Sequence, residues 1–201
     1  MAPSLKAWRS KAYSAFWEWR LGVDTSARDV SFSERLDYNW YTTIGYREIF
    51  AVLRNLDLTS SDVFVDLGCG PGRVICCAAQ FEIGEAVGVE VDERLAAIAL
   101  CNAAGLRRKG CAVRVENQPA ETFDFAEGTV FYLFNPFGAA TLAKVLDRLR
   151  NSLASDPRRA RIAYVNPVHE GLLGAAEWLS CYERWERDTK VSYAVSFWRS
   201  N

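Results

Sequence analysis

Three glycines at alternate positions, Gly68, Gly70 and Gly72, follow directly on the apolar run Val63–Leu67. Two valines, a phenylalanine and a leucine within five residues favour a strand. The glycines let the chain turn sharply and leave bare backbone where a side chain would block close approach. Helical spacing begins at once in the apolar stretch that follows, Val74-Ile75-Cys76-Cys77-Ala78. Strand, bare turn and helix in that order define the first crossover of a parallel α/β sheet.

The same rhythm continues downstream. Short apolar runs fall at 86–91, 112–115, 129–134 and 161–165, separated by helical spacing over 73–80, 93–104 and 139–153. Such alternation predicts a mostly parallel sheet with helices on both faces. The end differs: after a predicted helix near 171–179, "YERWERD" and "KVSYAVSFW" read as strands joined by a tight turn around Asp188-Thr189. A turn that short requires antiparallel pairing. Upstream, helical spacing covers 4–20, where Leu5, Trp8, Ala12, Phe16 and Trp19 form one apolar stripe, and again 46–56. The organisation is one domain over 45–201 with an aromatic helical extension over 1–44.

The turn's ligand is constrained by what accompanies it. A dinucleotide fingerprint needs GxGxxG, and Arg73 stands where its last glycine belongs. Asp66 closes the strand two residues before the first glycine, and Glu90 ends the next strand. Amide-lined turns suit a carboxylate, and an acid beside one suits an amine, which together describe the amino-acid end of S-adenosylmethionine. Glu90 at its strand end is placed to accept from ribose hydroxyls.

"VFVDLGCGPGRV" with "GVEVDE" downstream resembles the first two motifs of class I S-adenosylmethionine-dependent methyltransferases. With "VFYLFNPFG" added, the likeness runs to a group of bacterial members and, more distantly, to the non-SET histone lysine methyltransferases. The resemblance implies a Rossmann-like seven-stranded sheet ending in an antiparallel hairpin, S-adenosyl-L-methionine as cofactor and no metal. It assigns the cofactor to Asp66, Gly68, Cys69, Gly70, Gly72, Glu90 and Val91. The third motif usually carries an acid for the adenine amine; here Gln118 holds that position, with Asn117 and Pro119 beside it. Tyr41 and Thr42 from the extension complete the expected set, and Tyr46 is a further lid candidate.

The acceptor side is expected past the fourth strand. Asn135, Pro136 and Phe137 resemble the Asn/Asp-Pro-Pro-aromatic motif of amine-directed members, with one proline missing. There the Asn135 amide and the Pro136 carbonyl would orient an amine, and Phe137 would stack on it or hold its stem. His169, beside Asn166 after the fifth strand, is a candidate proton acceptor because imidazole titrates near neutrality. A nicotinamide-dependent oxidoreductase and a non-catalytic cofactor-binding module are the competing readings.

Composition bounds the rest. With 24 basic and 25 acidic residues, the net charge of −1 supplies no basic excess for nucleic acid or an anionic surface. One histidine excludes a multi-histidine metal centre. Six cysteines with no CxxC pair suit a reduced, cytoplasmic protein. No run of about 18 apolar residues predicts a membrane span, and the charged first twenty residues carry no signal-peptide core. The expected partner is a small-molecule or protein amine. The resemblance implies that the aromatic extension is a lid or cap that covers the cofactor and shapes the acceptor pocket. Packing on the domain, a dimer face and a membrane-lying helix compete with this, the last of which would want a richer basic face.

Overall fold

A computed structural model describes residues 5–26, 37–39, 42–187 and 191–201. The elements run α1 (Leu5–Leu21), α2 (Tyr46–Asn55), β1 (Val63–Leu67), α3 (Arg73–Ala78), β2 (Glu85–Glu90), α4 (Glu93–Gly105) and β3 (Ala112–Asn117). A 3-10 turn at Ala120–Thr122 leads to β4 (Val130–Phe134), α5 (Ala139–Ser155), β5 (Arg161–Val165), α6 (Glu170–Gly174), β6 (Leu179–Trp185) and β7 (Val195–Ser200).

Seven strands form one sheet in the order β3-β2-β1-β4-β5-β7-β6. The first five are parallel; β7 pairs antiparallel with both β5 and β6. The expected architecture is therefore the observed one. Strand β1 sits centrally and is buried from Phe64 to Leu67. Its run is apolar apart from Asp66 because both sheet faces are covered. One face carries α2 and α3, with Ile49, Leu53 and Ile75 against Phe64 and Ala86. The other carries α5 and α6, with Leu142, Val145 and Leu173 against Leu67, Phe131 and Ile162. The chain leaves β1 toward β2 on one side and returns through β4 on the other, so a topological switch point lies between β1 and β4.

Three local expectations are corrected. The helix near 171–179 stops at Gly174, and β6 begins at Leu179. Strand β7 starts only at Val195, and the turn at Asp188-Thr189 lies outside the described residues. The described part of the α1 stripe does not face the domain: Phe16 is 48% and Trp19 66% exposed, while the Leu5 and Trp8 side chains lie outside the described ones. Trp17 and Leu21 pack inward instead, Trp17 lying 4.5 Å from the Phe50 ring by centroids. Aromatic residues occur on several sides of this helix, so its spacing alone does not single out the buried face.

The extension is tied to the domain by Arg73, the residue that stands where a dinucleotide fingerprint needs glycine. Its guanidinium donates to Thr25 Oγ1 at 2.7 Å and Glu18 at 3.3 Å, and lies 4.9 Å from the Tyr46 ring. Tyr46, offered as a lid residue, is fully buried with its hydroxyl 3.2 Å from Thr25 Oγ1. Its role is packing.

Candidate functional site

A cleft opens at the carboxyl ends of β1, β2 and β4, against the switch point. Tyr38, Asn39, Thr42, Gly68, Val89, Glu90, Val91, Leu95, Gln118, Ala120, Phe134 and Pro136 line it. In open α/β sheets this crevice is where ligands bind.

The glycine turn forms the floor. Gly68, Gly70 and Gly72 take φ of 81°, 54° and 86°, the left-handed region that side chains avoid. The Gly68 and Cys69 amides both donate to the Val89 carbonyl, at 2.8 and 3.0 Å, which stitches the turn to the end of β2. A Cβ on Gly68 would stand 2.5 Å from the Pro136 Cβ, so the turns after β1 and β4 touch.

Glu90 ends β2 and is nearly buried, at 6% exposure. One carboxylate oxygen accepts from the Gly70 amide at 2.8 Å and the other from the Asp92 amide at 2.9 Å. Each oxygen keeps a further lone pair for a ligand hydroxyl. Asp66 lies beneath the turn at 3% exposure and does not itself line the cleft. Burial, and then the charge of Glu90, hold the Asp66 carboxyl well above the usual carboxylate range. Burial also raises Glu90, against the amides that stabilise its anion. Among the described residues, no lysine, arginine or histidine forms an ion pair with either acid. Two buried carboxyls without a cation make a site that favours a positively charged occupant.

The adenine-side expectations divide. Gln118 and Val91 line the cleft. The Gln118 amide nitrogen donates to Glu116, while its oxygen accepts from Thr122 Oγ1 at 3.3 Å. Asn117 is turned away, donating to the Glu90 carbonyl at 2.8 Å. Pro119 precedes the 3-10 turn, its carbonyl accepting from Thr122 Oγ1 at 2.8 Å. Cys69 and Gly72 serve the turn: a Cβ on Gly88 would lie 2.7 Å from Cys69 Sγ, and Gly72 starts α3 against Ala99. Burial pushes the Cys69 thiol up, leaving it a packed, inert group.

On the acceptor side Asn135 holds φ of 42°, an unusual conformation for a non-glycine residue. Its Oδ1 accepts from the Tyr164 hydroxyl at 3.3 Å, and its carbonyl from Asn39 Nδ2 at 2.8 Å. The Pro136 carbonyl accepts from the Asn39 amide at 2.9 Å. Phe137 corrects the stacking expectation. It is 1% exposed and packs with the α5 face of the core, so Phe134 is the ring that lines the cleft. His169 is also corrected: it begins α6, its amide donating to Tyr164 Oη at 3.4 Å, and it is not among the cleft-lining residues. Asn166 does not cap that helix; it takes φ of 49° and its carbonyl accepts from Val168.

Residues 37–39, which belong to the aromatic stretch 37–46 but are not singled out by the sequence, form a strap over this edge. Asp37 accepts from the Thr141 amide at 2.6 Å at the start of α5, and Tyr38 donates to Glu121 at 2.5 Å. Thr42 lines the cleft, whereas Tyr41 lies outside the described residues. The signal that could have found the strap is its own composition, Asp-Tyr-Asn directly before the aromatic run 40–46.

Comparison with known proteins adds to this geometry. The family model "Histone methylation protein DOT1" matches residues 23–119. A protein-lysine N-methyltransferase of Saccharolobus islandicus (strain REY15A) is 35% identical over 80 residues, which is 38% of this chain and 48% of that protein. The chain thus spans about half the length of that curated relative. Among solved structures, an RNA methyltransferase from Salinibacter ruber in complex with S-adenosyl-L-homocysteine is similar with a TM-score of 0.51 at 21% identity, covering 76% of this chain and 88% of that one. A SAM-dependent O-methyltransferase from Thermotoga maritima gives a TM-score of 0.58 at 15% identity, covering 80% and 67%. At these identities the structural likeness establishes the fold.

Proposed function

We propose that this chain, a class I S-adenosylmethionine-dependent methyltransferase by fold, transfers a methyl group from that cofactor to a nitrogen acceptor, an amine of small-molecule or lysine type. The observation that carries the cofactor assignment is the buried pair Asp66 and Glu90, which lacks a basic partner among the described residues. S-adenosylmethionine carries an ammonium and a sulfonium, whereas a dinucleotide would bring a pyrophosphate toward the same two acids. The lining fits it in part: Glu90 for the ribose, and Leu95, Val91 and Ala120 for an apolar ring, while the amides of Gly68, Cys69, Gly70 and Gly72 are already engaged within the turn and with β2.

When bound, this cofactor supplies an electrophilic methyl group. The chain then has to align a nucleophile and exclude water. Asn135 does not itself line the cleft but sits between the lining residues Phe134 and Pro136. Its Oδ1, with one lone pair engaged by Tyr164, has another for an acceptor N–H that reaches this strand end. The Pro136 carbonyl, already accepting from Asn39, likewise has a second lone pair. Two oxygens at one strand end point an amine's own lone pair outward, which favours nitrogen over a hydroxyl. The curated lysine-directed relative supports the same choice. With His169 off the cleft, no side chain is assigned as base, and the amine must arrive neutral by losing its proton to solvent.

The test is isotopic. Purified protein is titrated with S-adenosylmethionine and S-adenosylhomocysteine, then incubated with methyl-labelled cofactor and lysine peptides, small amines or transfer RNA. Binding of both ligands, and label in base-stable N-methyl products, is the expected result. No binding at millimolar ligand overturns the cofactor assignment; label in base-labile esters overturns the nitrogen acceptor.

A further inference from the structure

The exposed rings on the described part of α1 take no part in the cleft. Tyr13, Phe16 and Trp19 are 41%, 48% and 66% exposed, three of the six exposed large hydrophobic residues among those described. They form a ridge of rings packed on one another. Phe16 lies 5.8 Å from Trp17 and 6.3 Å from Trp19 by centroids, and Tyr13 lies 6.2 Å from Trp17. Trp17 in turn is fixed to Phe50, so the ridge is mounted rigidly on the domain.

Fold topology brings cations to this ridge that the helix itself lacks. The loop after α4 packs on the end of α1. The Arg107 amide donates to the Leu21 carbonyl at 2.9 Å, and its guanidinium donates to the Trp19 carbonyl at 2.8 Å and lies 5.8 Å from the Trp19 ring. Arg107 thereby caps the helix, but Arg108 and Lys109 beside it are exposed. Arg20 stands 5.8 Å from the Trp17 ring. Of the nearby acids, Glu18 is turned inward to Arg73 and Thr25, and Asp24 accepts from Ser26; Glu82 is exposed. An aromatic ridge edged by Arg20 and Arg107, with Arg108 and Lys109 exposed in the adjoining loop, is the make-up of a surface that seats in the headgroup region of an anionic bilayer.

We propose that this face of α1, with Arg20 and the 107–109 loop, is a peripheral docking surface for anionic lipid bilayers, independent of the reaction assigned to the cleft. The rings enter the interface as one apolar wedge while the cations meet lipid phosphates. Nucleic acid fits less well, because stacking needs open ring faces and these lean on one another or on Arg107. A second copy fits less well too, since a two-fold contact would bring the same cations face to face.

Co-sedimentation of the full chain with vesicles tests this. Vesicles of equal parts phosphatidylglycerol and phosphatidylcholine should bind it, and vesicles of phosphatidylcholine alone should not. Added salt should weaken the binding. The pairs Phe16→Ser/Trp19→Ser and Arg108→Glu/Lys109→Glu should each lower the partition coefficient by about tenfold or more. Both alter exposed side chains, and unchanged thermal melting would confirm intact folding. Equal binding to both vesicle types, no binding to either, or wild-type binding by both variants overturns the proposal. So does a wild-type dimer that the Phe16/Trp19 variant dissolves, which would assign the face to a second copy. Single-stranded RNA binding lost in both variants, with no vesicle binding by wild type, would assign it to nucleic acid and equally overturns it.

Discussion

Gly70 and Glu90 are joined across 2.8 Å, the amide of the glycine turn donating to the acid that ends the neighbouring strand. One carboxylate thus holds the floor of the cleft in shape and offers its remaining lone pairs to a ligand. Glu90→Ala should weaken S-adenosylhomocysteine binding by on the order of 10- to 100-fold, as loss of a charge-assisted hydrogen bond costs about 1.5–3 kcal/mol. Calorimetric affinities of wild type and variant check this. A Glu90→Ala protein that binds as tightly as wild type would remove the acid from the cofactor site.

Burial, then the Glu90 charge, raises Asp66, and burial raises Glu90. In the free protein, therefore, these carboxyls keep protons to a higher pH than their ordinary values of about 4. A cationic ligand favours the ionised pair, so binding should release protons, and affinity should climb with pH through the window above that value. Calorimetry in buffers of different ionisation enthalpy counts the protons released. Asp66→Asn should bind more weakly and release fewer. Proton uptake on binding, or none in that window, would contradict a cationic occupant beside this pair.

Gly68 combines φ of 81° with a Cβ position 2.5 Å from Pro136 Cβ. Gly68→Ala meets strain of about 1–2 kcal/mol from the left-handed backbone, before any displacement of the Asn135-Pro136 turn. The variant should lose at least that much stability in urea and most of its turnover, whereas Gly171→Ala, where a Cβ meets nothing within 4 Å, should lose neither. Equal behaviour of the two variants would show that the contact between the turns does not matter.

Asn135 is held from three sides: by Tyr164 at its amide oxygen, by Asn39 at its carbonyl and, through Pro136, by the Asn39 amide. Asn135→Ala should leave cofactor affinity within about twofold and lower kcat by about 100-fold, the effect expected for removal of an oriented polar group. Tyr164→Phe removes the bond that sets the Asn135 amide, together with the one its oxygen accepts from the His169 amide, and should cost about tenfold or less. Isotope transfer, once an acceptor is found, measures both. A variant with unchanged kcat would move the acceptor site elsewhere along the strand edge.

Much of this architecture is readable from local pattern. The strands β1 to β5 and their crossovers show in short apolar runs alternating with helical spacing, and the glycine turn shows in three residues. The unread parts depend on contacts far apart in sequence. Asn39 meets Asn135 across 96 positions, and Tyr38 meets Glu121 across 83, so the aromatic stretch they belong to is visible locally but their partners are not. Phe137 looks like an acceptor-side ring because it follows Asn-Pro, yet the turn delivers it into the core under α5. In α1, rings on several sides let the spacing of 12, 16 and 19 pass for the buried stripe, when the partners Tyr46 and Phe50 select Trp17.

At the sheet edge opposite the cleft, Arg161 and Asp62 form a partly buried ion pair at 2.5 Å, with side chains 24% and 7% exposed. Asp62 also accepts from the Thr59 amide at 2.7 Å, Thr59 Oγ1 at 2.9 Å and Thr129 Oγ1 at 2.8 Å. Arg161 donates further to the Leu56 and Asp57 carbonyls, so the pair fastens the loop after α2 to the starts of β1, β4 and β5. Burial opposes ionisation of Asp62, but Arg161 and these donors outweigh it and hold the carboxyl below its ordinary value. Asp62→Ala leaves the guanidinium unpaired and should cost about 3–5 kcal/mol. A carboxyl with a lowered folded pKa contributes stability that is complete above its unfolded value of about 4 and is lost as pH falls through the folded value. Urea unfolding of wild type should therefore weaken sharply below about pH 4, while Asp62→Ala, already without this contribution, should depend less steeply on pH there. Equal stability of the two proteins at neutral pH, or parallel acid profiles, would show that the pair does not hold this edge.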